Sequence, residues 1–88
     1  MNGSAAEKLL EQMRNSPSGW GQKDLERLLK GFGFEYREGK ERVYFNRKYP
    51  TLRISVPRHN SLRDWVARDA VKLIDELKLT SKEELNGE

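Results

Sequence analysis

The stretch Phe34-Glu35-Tyr36-Arg37-Glu38-Gly39-Lys40-Glu41-Arg42-Val43-Tyr44-Phe45-Asn46-Arg47-Lys48-Tyr49-Pro50-Thr51-Leu52-Arg53-Ile54-Ser55-Val56 decides the fold. Its apolar residues recur with period two. Phe34 and Tyr36 alternate with Glu35 and Arg37; Val43 and Phe45 with Arg42, Tyr44 and Asn46; Leu52, Ile54 and Val56 with Thr51, Arg53 and Ser55. Glu38-Gly39-Lys40 and Arg47-Lys48-Tyr49-Pro50 read as turns, and Pro57 closes the run. Such a pattern predicts three short antiparallel strands joined by hairpins, each apolar on one face. Taking Val43, Phe45, Leu52, Ile54 and Val56 as the covered face leaves Glu35, Arg37, Arg42, Tyr44, Asn46, Thr51, Arg53 and Ser55 on the open one.

On either side the period changes to 3.6. Ala6, Leu9, Leu10 and Met13 make one helical stripe, with Ser4 and Glu7 spaced as a capping box; breakers at Asn15-Ser16-Pro17-Ser18-Gly19 end it. Leu25, Leu28, Leu29 and Phe32 make a second stripe, stopped by Gly33 in a position suited to a left-handed cap. After the strands, Leu62, Trp65, Val66, Ala70, Leu73, Ile74 and Leu77 form a third, with Ser61 and Asp64 as a cap and a polar stretch from Leu79 that reads as fraying. The predicted fold class is α+β, α-α-β-β-β-α, with a three-stranded antiparallel sheet packed on helices. Segments 1–19, 20–79 and 80–88 read as a helical extension, the main domain and a flexible tail. The expected core is Leu25, Leu28, Leu29, Phe32, Phe45, Ile54, Val66, Leu73 and Ile74.

With 88 residues there is room for one small domain. The chain has no cysteine and a single histidine, His59, which leaves no thiolate cage and no multi-histidine zinc site. No phosphate loop, nucleophile elbow or paired metal carboxylates are visible, so neither cofactor nor metal is expected. No apolar run is long enough for a membrane span and no signal segment opens the chain, so a cytoplasmic location is expected. The net charge of +3 is unevenly spread: residues 34–60 hold seven Lys/Arg against three Asp/Glu, whereas 61–88 hold five against seven. A localised basic stretch suits an anionic partner, either a nucleic acid or an acidic protein; it also suits a solvated mixed-charge surface. On the open face Arg37, Arg42 and Arg53 are candidates for bidentate phosphate contacts and Tyr44 for stacking on an unpaired base. His59 is a candidate general base or a local cap.

Several segments together resemble the HicA toxin family of bacterial and archaeal toxin–antitoxin systems. They are Trp20-x-x-Lys23-Asp24-Leu25-x-x-Leu28-Leu29, Phe32-Gly33-Phe34, Gly39 leading into Val43-Tyr44-Phe45, and Ile54-Ser55-Val56-Pro57-Arg58-His59. The resemblance covers residues 20–77. It implies a fold like the double-stranded-RNA-binding domain, metal-independent cleavage of messenger RNA, and a HicB-type antitoxin as partner. The candidate RNA-binding residues are Arg37, Lys40, Arg42, Tyr44, Arg53 and Arg58. The family's catalytic histidine stands fourth in G-x-x-H-x-x-F; here Gly39-Lys40-Glu41-Arg42-Val43-Tyr44-Phe45 places Arg42 there. Histidine accepts a proton near neutral pH, whereas arginine, with a pKa above about 12, does not. Three readings of Arg42 follow. The chain binds RNA or an antitoxin without cutting; it is a toxin disarmed by substitution; or His59 or Glu41 serves as base instead. A non-catalytic RNA-binding module and an interaction protein docking an acidic partner are the readings from other classes.

Overall fold

The computed structural model describes residues 5–57 and 62–86. Its order is α1 (Ala5–Asn15), α2 (Gln22–Gly31), β1 (Phe34–Arg37), β2 (Arg42–Asn46), β3 (Arg53–Val56) and α3 (Asp64–Asn86). The strands form one antiparallel sheet in the order β1-β2-β3. This is the α+β arrangement that the two periodicities predict. Ser4 and Ser61, the expected caps of α1 and α3, lie outside the described residues, as do Arg58 and His59.

Each helix buries most of its predicted stripe, with Ala6, Phe32 and Leu77 only partly covered. Leu9, Leu10 and Met13 of α1, Leu25, Leu28 and Leu29 of α2, and Val66, Ala70, Leu73 and Ile74 of α3 are buried in one cluster with Phe34, Tyr44 and Val56. Helix α1 packs against α2 and α3, while α2 lies under β1 and α3 under β3. Helix α2 starts where the Gly21 N–H donates to the Asp24 carboxylate at 2.9 Å. It ends at Gly33, whose φ of +88° is the left-handed conformation that glycine adopts without a Cβ clash. Gly31 matters for packing instead. A Cβ there would fall 2.4 Å from the Cβ of Ala6, so only glycine lets α1 approach α2 this closely.

Helix α3 departs from its sequence reading in two ways. It continues past Leu79 to Asn86, and Trp65, counted in its apolar stripe, is 46% exposed. Trp65 precedes the buried pair Val66 and Ala67, which set the face that α3 turns inward.

The sheet faces need a larger correction. Tyr36 pairs with Tyr44, which pairs with Ile54, and Arg42 pairs with Val56. Directly opposed residues share a face, so Arg42, Tyr44 and Asn46 point toward the helices and Val43 and Phe45 point away. Phe45 is therefore not part of the core, and Tyr44 is fully buried in its place. The cause lies in the second turn. Asn46 pairs across to Leu52, with its N–H on the Leu52 carbonyl at 3.1 Å, so the loop spans 47–51 rather than 47–50. One added residue inverts the face on which β2 meets β3. The buried Asn46 holds this turn: its Oδ1 accepts the N–H groups of Lys48 and Tyr49, both at 2.9 Å.

Two ion pairs tie α1 to α3. Arg14 makes a bidentate contact with Asp75 at 2.9 and 2.8 Å, and Lys78 reaches Glu7 at 3.1 Å. The Arg14 hydrogen bonds hold the Asp75 carboxyl below its ordinary value, against partial desolvation. A carboxylate depressed by folding adds stability above its unfolded pKa of about 3.9, and loses it as the pH falls through the folded value. Both side chains are about two-fifths exposed (42% and 41%), so solvent screening limits the pair to about 1 kcal/mol or less. Asp75→Asn is expected to lower stability slightly at about pH 7, with the deficit shrinking as the pH falls toward about 2. Denaturant titration at the two pH values checks this; an equal deficit at both would assign the effect to packing instead.

Candidate functional site

Two groups of candidate residues lie on opposite sides of the sheet. On the helix side, Arg42 stands at the start of β2, between α2 and the β1–β2 turn. Its guanidinium donates to Glu38 at 2.7 Å, lies 3.5 Å from Glu26 of α2, and donates to the Tyr44 hydroxyl at 3.4 Å. The same group sits 4.2 Å from the centroid of the Tyr36 ring, within cation–π range. Tyr36 in turn meets Tyr44 edge-on at 5.4 Å. Lys30, paired with Glu26 at 3.2 Å, lies 5.3 Å from the centroid of the Tyr36 ring. The alternation of β2 brings this about: once Tyr44 is buried, Arg42 two residues earlier must share its face.

These contacts fix the chemistry available at Arg42. Its hydrogen bond to Tyr44, with Glu38 adding, raises its pKa above an already high value despite the desolvation that opposes it. Tyr44 is itself raised, chiefly by burial, with Arg42 pulling the other way. The cluster is therefore a protonated arginine held by carboxylates and a neutral tyrosine. It offers no proton acceptor of histidine type and no aromatic face open to a base, which removes Tyr44 as a stacking residue.

On the outer side lie Glu35 and Arg37 of β1, Val43 and Phe45 of β2, and Arg53 and Ser55 of β3. Glu35 is occupied by Arg47 at 2.9 Å. Arg37 lies over Phe45, 5.5 Å from the ring centroid, and Arg53 is directly across from Phe45 in the register. A shallow concavity of about 380 Å³ runs between Arg37, Val43, Phe45, Pro50 and Arg53. Lys40 is exposed in the β1–β2 turn. The three arginines expected together are thus split: Arg37 and Arg53 share the outer face and Arg42 does not.

Phe45 is the residue that sequence reasoning assigns elsewhere. Its signal lies in the first turn. Tyr36 belongs to the covered face, and the three residues of Glu38-Gly39-Lys40 are an odd number. An odd loop keeps Tyr36 and Tyr44 on one face, as the five residues enclosed by the observed Arg37–Val43 pair also do, whereas the second turn, read one residue short, puts Tyr44 and Ile54 on opposite faces.

Among the described residues no group of acidic or histidine side chains is placed to hold a metal ion, and no helix is long and apolar enough to cross a membrane. Compared with protein-family models, with curated proteins and with solved structures, the chain matches none.

Proposed function

We propose that this chain is a HicA-like, RNA-binding protein whose nuclease step is disabled at Arg42, with a HicB-like antitoxin as its protein partner in the cytoplasm. The motifs around Trp20, Gly33, Gly39 and Val56-Pro57 support the family reading. The observation that carries the functional one is the state of Arg42. The position that would hold the proton acceptor carries a permanent cation held by Glu38 and Tyr44. A ribose 2′-hydroxyl presented there meets a cation in place of an imidazole, and the carboxylates beside it, Glu38 and Glu26, are engaged with that cation. Arg37 and Arg53 on the outer face and the exposed Lys40 of the first turn support phosphate contacts, so binding outlasts catalysis in this reading.

RNA affinity is expected to fall steeply with salt, because each phosphate neutralised releases counterions. Fluorescence anisotropy of a labelled RNA across a salt series tests this. Affinity insensitive to salt, or no binding at low salt, would leave the basic stretch as a solvated surface and favour an interaction protein.

A further inference from the structure

The outer face of the sheet carries an arrangement that electrostatics alone does not explain. Phe45 is half-buried at the centre of the face, and Val43 extends its apolar surface along β2. Among the described residues, Arg42, Arg47 and Arg14 each have a carboxylate within 3 Å, whereas Arg37 and Arg53 have no ion-pair partner. Arg53 is opposite Phe45 on β3. Arg37, opposite Val43 on β1, lies over the Phe45 ring at 5.5 Å from its centroid, so a base gains that ring as Arg37 swings off it toward a phosphate. Glu35, directly across from Phe45 on β1, is held by Arg47. The concavity between them has no carboxylate in its lining.

We infer that this face is a binding platform for a single-stranded stretch of RNA, in which an unpaired base stacks on Phe45 while Arg37 and Arg53 hold the phosphates on either side. The inference rests on the RNA-binding reading above and adds where and how the RNA is held. A planar ring and two unpaired guanidiniums match the two chemistries of a single strand, a π-face and a phosphodiester. An acidic protein segment would satisfy the arginines but would leave the ring between them without a planar partner. A perfect duplex has its bases stacked internally and offers Phe45 nothing to stack on.

The test is anisotropy with two probes of matched length, an unstructured pyrimidine RNA and a perfectly paired RNA duplex, against the parent, Phe45→Trp, Phe45→Leu and Arg37→Ala/Arg53→Ala. Thermal melts by circular dichroism confirm that each variant is folded. The unstructured RNA is expected to bind more tightly than the duplex. Phe45→Trp should retain that affinity, and Phe45→Leu, which keeps the bulk but not the ring, should weaken it by about 5-fold or more. The double arginine variant should also make the salt slope shallower by about 0.7 for each phosphate that it no longer neutralises. Parent-like affinity in folded Phe45→Leu, or a duplex bound as tightly as the single strand, overturns the platform. A parent that binds RNA with both Phe45→Leu and Arg37→Ala/Arg53→Ala unchanged overturns the platform alone and leaves the face to a protein partner. A parent that binds no RNA at low salt overturns the RNA-binding reading and the platform together.

Discussion

Arg42→His is expected to raise metal-independent RNA cleavage about 10²–10⁴-fold over the unmodified chain, the usual contribution of general acid–base catalysis. The side chain at this position is 23% exposed, so a substrate hydroxyl can reach it, and it is bounded by Glu26, Glu38, Tyr36 and Tyr44. An imidazole placed there would lie near two carboxylates, which favour its charged form and move its pKa above the ordinary value of about 6.5. The base works only when neutral. The cleavage rate of Arg42→His should therefore rise with pH through that elevated pKa, and adding Glu38→Gln should move the rise to lower pH. End-labelled RNA incubated in chelator across a pH series measures both effects. An inert Arg42→His would place this chain with non-catalytic RNA-binding modules, and a rate independent of pH near neutrality would place the base elsewhere.

Tyr44→Ala is expected to cost about 3–5 kcal/mol, and Phe45→Ala only about 1 kcal/mol. Tyr44 is fully buried among Phe34, Val56 and the α2 leucines, so truncation leaves a cavity that the helices and sheet close only in part. Phe45 covers the outer face, where its removal exposes surface that water can fill. With total stability for a domain of this size at about 5–15 kcal/mol, Tyr44→Ala approaches global unfolding. Tyr44→Phe should cost about 0.5–1.5 kcal/mol, since it removes one hydrogen bond while Arg42 keeps Glu38. Urea titration of the three variants gives the ranking directly. A Phe45→Ala deficit larger than that of Tyr44→Ala would reverse the faces of β2.

The helices and the flanking strands are legible in the sequence because their apolar positions leave one choice. Leu25, Leu28 and Leu29 fit a helical face and no other, and Phe34 and Tyr36, like Ile54 and Val56, alternate with charged or hydroxyl residues. Strand β2 is not legible in the same way, since Val43 and Phe45 in one frame and Tyr44 in the other both offer bulk to a core. What settles it is the length of the β2–β3 loop, and that length depends on Asn46 folding back to accept from Lys48 and Tyr49. An asparagine at a strand end signals a turn without fixing how many residues the turn holds. The face of Arg42 follows from the same choice, so the site inherits the error: the periodicity places Arg37 and Arg53 correctly in the open, and Arg42 and Tyr44 wrongly. The partners of Arg42 are legible only in part. Glu38 lies in the adjoining turn, but Glu26 is brought up by the packing of α2 beneath β1, a contact that no local pattern encodes.

Whether this chain holds RNA without cutting it is tested most directly by one incubation. The unmodified protein is mixed with end-labelled, unstructured RNA in chelator and low salt, and read both for complex formation and for the length of the recovered RNA. A complex is expected that dissociates as salt is added and releases RNA of its original length. Recovery of discrete shorter fragments from the unmodified chain would contradict the proposal, because cleavage would then proceed with Arg42 in place.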